Sequence, residues 1–215
     1  MIRSVIGIVS CVILAVSVAA ASSIPGVKAG NQKFSLDNKV GKNTIEFFSQ
    51  APLEDIHGTA NGISGTFTLN PANLEATTGQ LKVVVTSMKT DISKRDQHLY
   101  SNVWLDAATY PEIVYTVTGL TNVTVIQDNG KSTVNAQATG TFTMHGVTKP
   151  LSAQITLTYV PENAATKKRA PGNFIMITAT FNVRLADYNV KGKDGSIGSS
   201  VGETIAVTAK LFARS

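Results

Sequence analysis

The sequence predicts an all-β fold made of antiparallel strands, and three observations carry this prediction. Apolar and polar residues alternate along Leu151–Tyr159 and Ile205–Leu211, so each segment has one dry face and one wet face. Thr, Val and Ile dominate such runs, and these residues suit a pleated surface. Turn residues separate the runs, as at Asn129-Gly130 and His145-Gly146. Sequential hairpins of this kind leave two architectures open, a sandwich and an up-and-down barrel.

About eight or nine strands follow from the runs and the turns between them. In chain order they cover residues 33–37, 43–49, 63–69, 79–87, 116–127, 131–144, 147–160, 173–185 and 201–214. A polar connection over residues 161–171 and a glycine-rich one over 187–200 join the last three strands. One segment breaks the pattern. Ser93 predicts the cap of a short helix over residues 94–101. Its expected apolar contacts are Leu99, Val103, Trp104 and Leu105.

The chain divides into an N-terminal targeting segment and one domain. One positive charge at Arg3, an apolar stretch and the small residues Ala19-Ala20-Ala21 predict a signal peptide over residues 1–21. An uncleaved membrane anchor is the alternative, because the apolar stretch approaches the shortest length that spans a bilayer. Residues 22–32 are expected to be a flexible segment. Residues 33–215 contain no repeat or linker and are expected to form a single domain.

Composition excludes several classes of function. Lysine and arginine exceed aspartate and glutamate by only 5, and the basic residues are scattered, which argues against a nucleic-acid binder. The one cysteine lies within the signal segment, so the remaining chain has neither a disulfide nor a thiol nucleophile.

No motif for catalysis, for a metal or for a cofactor stands out. The histidines His57, His98 and His145 are far apart and lack zinc-ligand spacing. The sequence also lacks a nucleophile elbow, a phosphate-binding loop and a dinucleotide fingerprint. We therefore expect no metal, no cofactor and no catalysis. A lipid hydrolase that depends on His98 or His145 is the minor alternative.

The densest group of ionisable residues lies in and beside the predicted helix, and two interpretations are open. Its members are Asp91, Lys94, Arg95, Asp96, His98 and Asp106. In the first interpretation the group fastens the helix to the barrel rim, with Arg95 or Lys94 paired to Asp106 and His98 bonded to backbone. In the second, Lys94, Arg95 and His98 form a cationic mouth for an anionic or hydroxylated head group. The run Lys167–Arg169 is expected to be a solvated loop rather than a contact for anionic lipid.

Several short motifs resemble a known family. They are Lys94-Arg95-Asp96-x-His98-Leu99, Leu105-Asp106-x-x-x-Tyr110-Pro111, Gly140-x-Phe142-x-Met144-His145-Gly146-Val147-Thr148-Lys149-Pro150-Leu151, Phe181–Val190 and Val201-Gly202-Glu203. Together they resemble the YceI-like family of lipocalin-like, polyisoprenoid-binding proteins, and the resemblance covers roughly Phe34–Ala213. Asn189, where the family often has glycine, and the two connections depart from the family pattern.

The resemblance implies an extended antiparallel up-and-down β-barrel of about eight strands with a helical insertion. It also implies a long apolar cavity for an isoprenoid, an isoprenoid quinone or a related lipid, and export to the periplasm. A carrier or storage protein without catalysis is the expected function. The expected partner is the lipid, with no nucleic acid. Transient membrane contact and a homodimer are further hypotheses.

Alternating positions give a predicted cavity wall, and the ionisable group gives a predicted mouth. The wall residues are Phe47, Phe67, Leu81, Val83, Ile113, Tyr115, Val117, Phe142, Met144, Ile155, Leu157, Phe181 and Val183. The mouth residues are Lys94, Arg95 and His98. A slip of one residue would turn any of these strands inside out. The alternative is that the same apolar face is only packed core. The barrel would then be filled by its own side chains, and the protein would act as an envelope stress or interaction protein without a lipid.

Overall fold

The computed structural model of this protein describes residues 21–215, so the predicted signal segment lies outside the described residues apart from Ala21. Strands dominate this part of the chain. They are β1 (Gln32–Leu36), β2 (Thr44–Gln50), β3 (Asp55–Ala60), β4 (Ile63–Asn70), β5 (Asn73–Val84), β6 (Met88–Lys89), β7 (Glu112–Asp128), β8 (Lys131–Met144), β9 (Val147–Val160), β10 (Phe174–Arg184) and β11 (Thr204–Arg214). The helices are α1 (Ser93–Tyr100) and α2 (Ala164–Lys167), with short 3₁₀ turns at Val85–Ser87 and Leu185–Tyr188.

Eight of the strands close into a ring, which confirms the predicted antiparallel barrel over the sandwich. The order is β1-β4-β5-β7-β8-β9-β10-β11, and β11 pairs back with β1 at Ser35 and Arg214. Strand β2 pairs with the rest of β11, and β3 and β6 continue from it. These three strands extend the barrel wall on one side, at the end of the barrel where α1 lies.

Two predicted hairpin turns are confirmed in detail. Asn129-Gly130 joins β7 to β8 with φ values of 47° and 75°, and His145-Gly146 joins β8 to β9 with 50° and 74°. Positive φ at both central residues defines the turn whose twist matches that of paired strands. Asn189 also has a positive φ of 56°, a conformation that asparagine tolerates better than most residues do.

The barrel has two distinct ends. The mouth is the end formed by the β2–β3 turn, α1, the β8–β9 turn and the 185–203 connection. Here the Leu53 backbone N–H donates to the Ser199 carbonyl at 3.0 Å. The base is the opposite end, formed by the β4–β5 turn, the β7–β8 turn and the 161–173 connection. Among the described residues no helix is both long and apolar enough to cross a membrane.

Some elements differ from their predictions. Strand β3 was not predicted, because its inward positions include Gly58 and Ala60, which are too small to mark an apolar face. Ser93 is not a cap, since Ile92 is the N-cap of α1 and no side chain caps the helix. Val103 remains 47% exposed instead of packing beneath the helix.

The segment before β1 is packed, which corrects the expected flexibility of residues 22–32 over its first part. Ile24 is only 2% exposed and belongs to the main core. Its backbone N–H donates to the Pro71 carbonyl at 2.7 Å. A single apolar residue in a short, polar segment gives no periodic signal, so the sequence pattern did not indicate this contact.

Candidate functional site

The barrel encloses a cavity of about 490 Å³ below the mouth, called here the outer cavity. Its wall is mostly apolar and comes from β2, β3, β5, β6, β7, β8, β10 and β11, with Leu99 of α1 and Trp104 also lining it. Trp104 is the only tryptophan of the chain. A space of this size is within the usual range for small-molecule sites.

A smaller cavity of about 80 Å³ lies deeper, toward the base, and is called here the inner cavity. Phe67, Leu69, Leu157 and Ile175 are among the residues that line it. Thr77 also lines it, and its hydroxyl is the single buried side-chain polar atom without a hydrogen-bond partner in the part of the chain that the structure describes. The barrel is therefore nearly filled in its lower half and hollow in its upper half.

An aromatic layer separates the two cavities. Phe142 and Phe181 line both, and their ring centroids are 5.6 Å apart. The Tyr115 ring stacks on Phe181 at 6.1 Å, and Tyr188 meets Phe142 edge-on at 5.5 Å. Ile45, Val83 and Ile113 complete the shared boundary. We refer to Tyr115, Phe142, Phe181 and Tyr188 as the aromatic layer.

The Tyr115 hydroxyl forms hydrogen bonds with backbone carbonyls of the barrel wall. It donates to the Ala138 carbonyl at 2.8 Å and lies 3.2 Å from the Leu151 carbonyl. A phenol is neutral at physiological pH, and burial raises the pKa of Tyr115 further, to about 12 from an ordinary value of 10.0. The wall thus offers an uncharged surface at this depth.

All thirteen predicted wall residues line at least one of the two cavities. Phe47, Met144 and Val183 line the outer cavity, and Val83, Ile113, Phe142 and Phe181 line both. The inner cavity alone is lined by Phe67, Leu81, Tyr115, Val117, Ile155 and Leu157. Their positions match the predicted strand parity; that they contact a ligand stays a prediction.

A glycine opposite Phe47 makes room for its ring. Phe47 of β2 pairs directly with Gly58 of β3, and a Cβ atom on Gly58 would lie 2.1 Å from the Phe47 ring. Any larger residue at position 58 would push the ring out of its place in the outer wall. The sequence pattern did not indicate this pairing, because strand β3 itself was not predicted.

The predicted mouth residues Lys94, Arg95 and His98 all line the outer cavity. Arg95 is already engaged, because its guanidinium forms an ion pair with Glu54 and its Nε donates to Thr90 Oγ1 at 3.1 Å. Lys94 and His98 are exposed, and no ion pair of the described residues includes either of them. These two side chains are free to meet a guest.

The predicted pairing of Arg95 or Lys94 with Asp106 is wrong. Asp106 has a φ of 46° in the turn after α1, and its carbonyl accepts from the Thr109 and Tyr110 N–H groups. The partner of Arg95 is Glu54, from the β2–β3 turn. The expected backbone bond of the His98 ring is also absent among the described residues. Contacts between segments so far apart in sequence leave no local pattern.

A buried carboxylate that was not singled out as an anchor fastens α1 to the mouth. Asp96 is 6% exposed and accepts from the Thr90 backbone N–H at 2.7 Å and from its hydroxyl at 2.8 Å. Lys89 Nζ lies 3.7 Å from the other oxygen. These bonds hold α1, and with it Lys94 and His98, over the outer cavity.

The other two histidines lie outside the cavity linings. His145 Nδ1 is 3.1 Å from the Tyr188 carbonyl, and the Tyr110 ring packs against it at 5.1 Å. His57 lies beside Phe48 at 4.5 Å on the outer wall. Within residues 21–215, no group of three or more acidic, histidine or cysteine side chains is placed to hold a metal ion.

The basic run near the base belongs to a separate surface. Lys167 forms an ion pair with Glu162 at 3.1 Å, and Arg169 Nε donates to the Lys39 carbonyl at 3.0 Å. Lys168 is exposed. This arrangement is that of a solvated helix end and the turn after it, at the end of the barrel opposite the mouth.

Comparison with solved structures identifies the architecture. BcnA from Burkholderia cenocepacia superposes with a TM-score of 0.62 at 16% identity, covering 82% of this chain and 98% of BcnA. A polyisoprenoid binding domain from Saccharophagus degradans, implicated in plant cell wall breakdown, superposes with a TM-score of 0.60 at 18% identity, covering 85% and 98%. At these identities the likeness is one of fold.

Comparison of sequences identifies the family. A UPF0312 protein of Pseudomonas savastanoi is 32% identical over 137 residues, which is 64% of this chain and 65% of that protein. The protein YceI of Escherichia coli is 29% identical over 152 residues, or 71% and 72% of the two chains. The match thus spans slightly less than two thirds of the Pseudomonas relative. A family model, the YceI-like domain, matches residues 34–213, and the chain therefore belongs to the YceI-like family.

Proposed function

We propose that this protein binds one chain-like apolar lipid of the isoprenoid class in the outer cavity and carries or stores it without catalysing a reaction. The observation that carries the proposal is the cavity of about 490 Å³, apolar along its wall and bordered by free polar side chains at its opening. A polyprenyl tail is nearly insoluble in water, and an apolar enclosure shields it.

The size of the outer cavity suggests the length of the tail. An apolar cavity of about 150 Å³ holds one benzene ring. By the same ratio, a cavity of 490 Å³ holds roughly 20 carbon atoms, or about four isoprene units. Each unit contributes about 3–4 kcal/mol from burial before the costs of ordering are subtracted. Such a guest would fill the hollow half of the barrel.

The head group would lie at the mouth, beside Lys94 and His98. Both side chains border the cavity, and both are free of ion pairs among the described residues. Arg95 is held by Glu54 and Thr90, so we assign it to positioning rather than to head-group binding. A phosphate, a hydroxyl or a quinone oxygen suits this pair of donors.

The relatives support the same class of ligand. The S. degradans domain shares the barrel and is a polyisoprenoid binding domain. The match to the YceI-like domain covers residues 34–213, which includes both cavities. The closed ring with a hollow upper half suits this type of guest.

Export and membrane contact complete the proposal. The sequence of residues 1–21 supports delivery to the periplasm, where a lipid needs a shield between membranes. Leu53, Ile92 and Val103 expose 76%, 50% and 47% of their surface around the mouth. Ile92 also lines the outer cavity. These side chains suit transient contact with a lipid surface while a guest enters.

A titration followed by the fluorescence of Trp104 tests the proposal. Delipidated protein should bind geranylgeraniol and its phosphate saturably, with one molecule per chain. A protein that binds no prenyl lipid or quinone saturably, and that carries no lipid from its host by mass spectrometry, would contradict the proposal.

Two variants test the head-group assignment. Removing both Lys94 and His98 side chains, by Lys94→Ala with His98→Ala, should weaken the phosphate about tenfold and the alcohol much less. Lys191→Ala is the matched control, because Lys191 is an exposed cation near the mouth that does not line the cavity. Equal losses for phosphate and alcohol would contradict the assignment of these two donors.

A further inference from the structure

The backbone nitrogen of Ser22 is held by a carboxylate. It lies 2.9 Å from Oε2 and 3.1 Å from Oε1 of Glu75, so both oxygens face one N–H group. Glu75 lies near the start of β5 at the base, and both residues are partly buried. This contact joins two segments that are 53 residues apart.

The contact closes the base of the barrel. The Leu74 N–H donates to the Ser22 carbonyl at 3.0 Å, and two residues later Ile24 enters the main core. The Gln127 side chain donates to the Pro25 carbonyl at 3.0 Å. Residues 22–25 are therefore attached on two sides, and Ile24 is 2% exposed between these attachments.

Glu75 lacks a cationic partner among residues 21–215. None of the ion pairs in the described part of the chain includes it. Burial raises the pKa of the Glu75 carboxyl, but hydrogen bonds from Ser22 and from backbone outweigh burial and hold it below its ordinary value. The carboxylate is therefore ionised, and the neutral groups that bond to it use only part of its capacity as an acceptor.

The sequence shows how the missing cation could arise. Ala19-Ala20-Ala21 directly precedes Ser22 and matches the small-residue site at which a signal peptidase cuts. Hydrolysis by one water molecule breaks the C–N bond between Ala21 and Ser22. Ala21 leaves with a carboxylate, and the Ser22 nitrogen becomes an ammonium group with three N–H donors. An α-amino group of this kind is mostly protonated at pH 7.

We propose that Glu75 is a binding site for the new α-ammonium group of Ser22, and that processing turns a bond between a carboxylate and a neutral amide into an ion pair that secures Ile24 in the base. The precursor contact joins an ionised carboxylate to a neutral N–H group, whereas processing adds a full positive charge and two further N–H donors, so the processed chain is held more firmly than its precursor. The site is separate from the lipid cavity, so this proposal does not depend on whether the protein binds a lipid.

Intact mass gives the first test. The full chain is expressed with its own leader in a Gram-negative host, and the exported protein is isolated. The expected mass is that of a chain beginning at Ser22. Any other first residue, or a retained leader, would overturn the proposal.

A cycle of four proteins gives the second test. Chains beginning at Ser22 and at Ala21 are each prepared with Glu75 and with Glu75→Gln, which has nearly the same shape. Glu75→Gln should lower the Tm of the Ser22 chain by about 3 °C and that of the Ala21 chain by less than half as much. Equal shifts in the two chains would overturn the ion pair, because a merely structural glutamate would affect both alike.

A third measurement needs no variant. The α-amine of the folded Ser22 chain should react with an acylating reagent several-fold more slowly than the α-amine of the same chain in urea, because pairing withholds the free base. A folded chain that reacts as fast as the unfolded one would overturn the proposal.

Discussion

Tyr115 contributes a phenol to a wall that is mostly apolar, and its burial makes a prediction about pH. Because burial raises its pKa to about 12 from an ordinary value of 10.0, the folded protein holds the phenol proton more tightly than the unfolded chain does. This stability is fully present below pH 10 and is lost as the pH rises toward 12. Between pH 9 and pH 11, the unfolding free energy of the wild type should therefore fall by about 1 kcal/mol more than that of Tyr115→Phe.

Urea unfolding at several pH values measures this difference. Burial also raises the pKa of Tyr159 and of Tyr188, but both residues are present in the two proteins, so the difference isolates Tyr115. Parallel curves for the two proteins would mean that the Tyr115 phenol titrates normally.

Thr77 presents the opposite case, a buried hydroxyl without a partner. Since its polar group gains nothing from burial, Thr77→Val should leave the unfolding free energy unchanged or raise it by about 1 kcal/mol. Thr90→Val is the control, because the Thr90 hydroxyl bonds to Asp96 and to Arg95, and its loss should cost about 1–3 kcal/mol. A comparable loss in Thr77→Val would reveal an ordered water or another partner in the inner cavity.

Among the elements, the aromatic layer sets the depth that a guest can reach. Phe181→Ala should join the two cavities and move the preferred tail from about four isoprene units to at least one unit more. Val207→Ala is the matched control, because Val207 lines only the outer cavity and its loss widens the space without deepening it. Competition among prenyl alcohols of increasing length measures the preference. An unchanged preference in Phe181→Ala would mean that the layer does not limit tail length.

The anchoring of α1 makes a prediction about local stability. Asp96→Ala removes the acceptor of two Thr90 hydrogen bonds, so the amides of α1 should exchange about tenfold faster while those of β8 and β9 are unchanged. Ser93→Ala is the control, since Ser93 is exposed and does not cap the helix. Hydrogen exchange read by NMR or mass spectrometry distinguishes the two. Faster exchange throughout the barrel would mean that Asp96 supports the whole fold instead.

At this scale the sequence predicted the long strands well and the short or small-residue ones poorly. Strand β9 alternates regularly over Leu151–Tyr159, so both its existence and its parity could be predicted. Strand β3 carries Gly58 and Ala60 on its inner face and gives little contrast. The Glu54–Arg95 and Asp96–Thr90 contacts depend on which loops meet at the mouth, and no local pattern encodes that meeting.

For the molecule as a whole, alternation alone could not decide whether the inward face is packed core or cavity wall. Phe67 and Phe47 occupy equivalent positions on alternating strands, yet one lines the nearly filled lower half and the other the hollow upper half. The difference follows from the three-dimensional layout. Strands β2, β3 and β6 widen the wall near α1, whereas Ile24 and the aromatic layer occupy the space below.

A pair of alanine variants tests the hollow upper half directly. Ala60 and Ala153 are both buried strand residues, at 2% and 0% exposure, but only Ala60 lines a cavity. Ala60→Leu adds apolar groups to empty space, so it should leave stability unchanged or raise it by about 1–2 kcal/mol, while it weakens binding of the guest. Ala153→Leu forces the same groups into packed core and should cost about 1–3 kcal/mol. Urea unfolding of the delipidated proteins measures both. If Ala60→Leu were as destabilising as Ala153→Leu, the upper half would be filled in solution and a barrel without a lipid guest would be the better account.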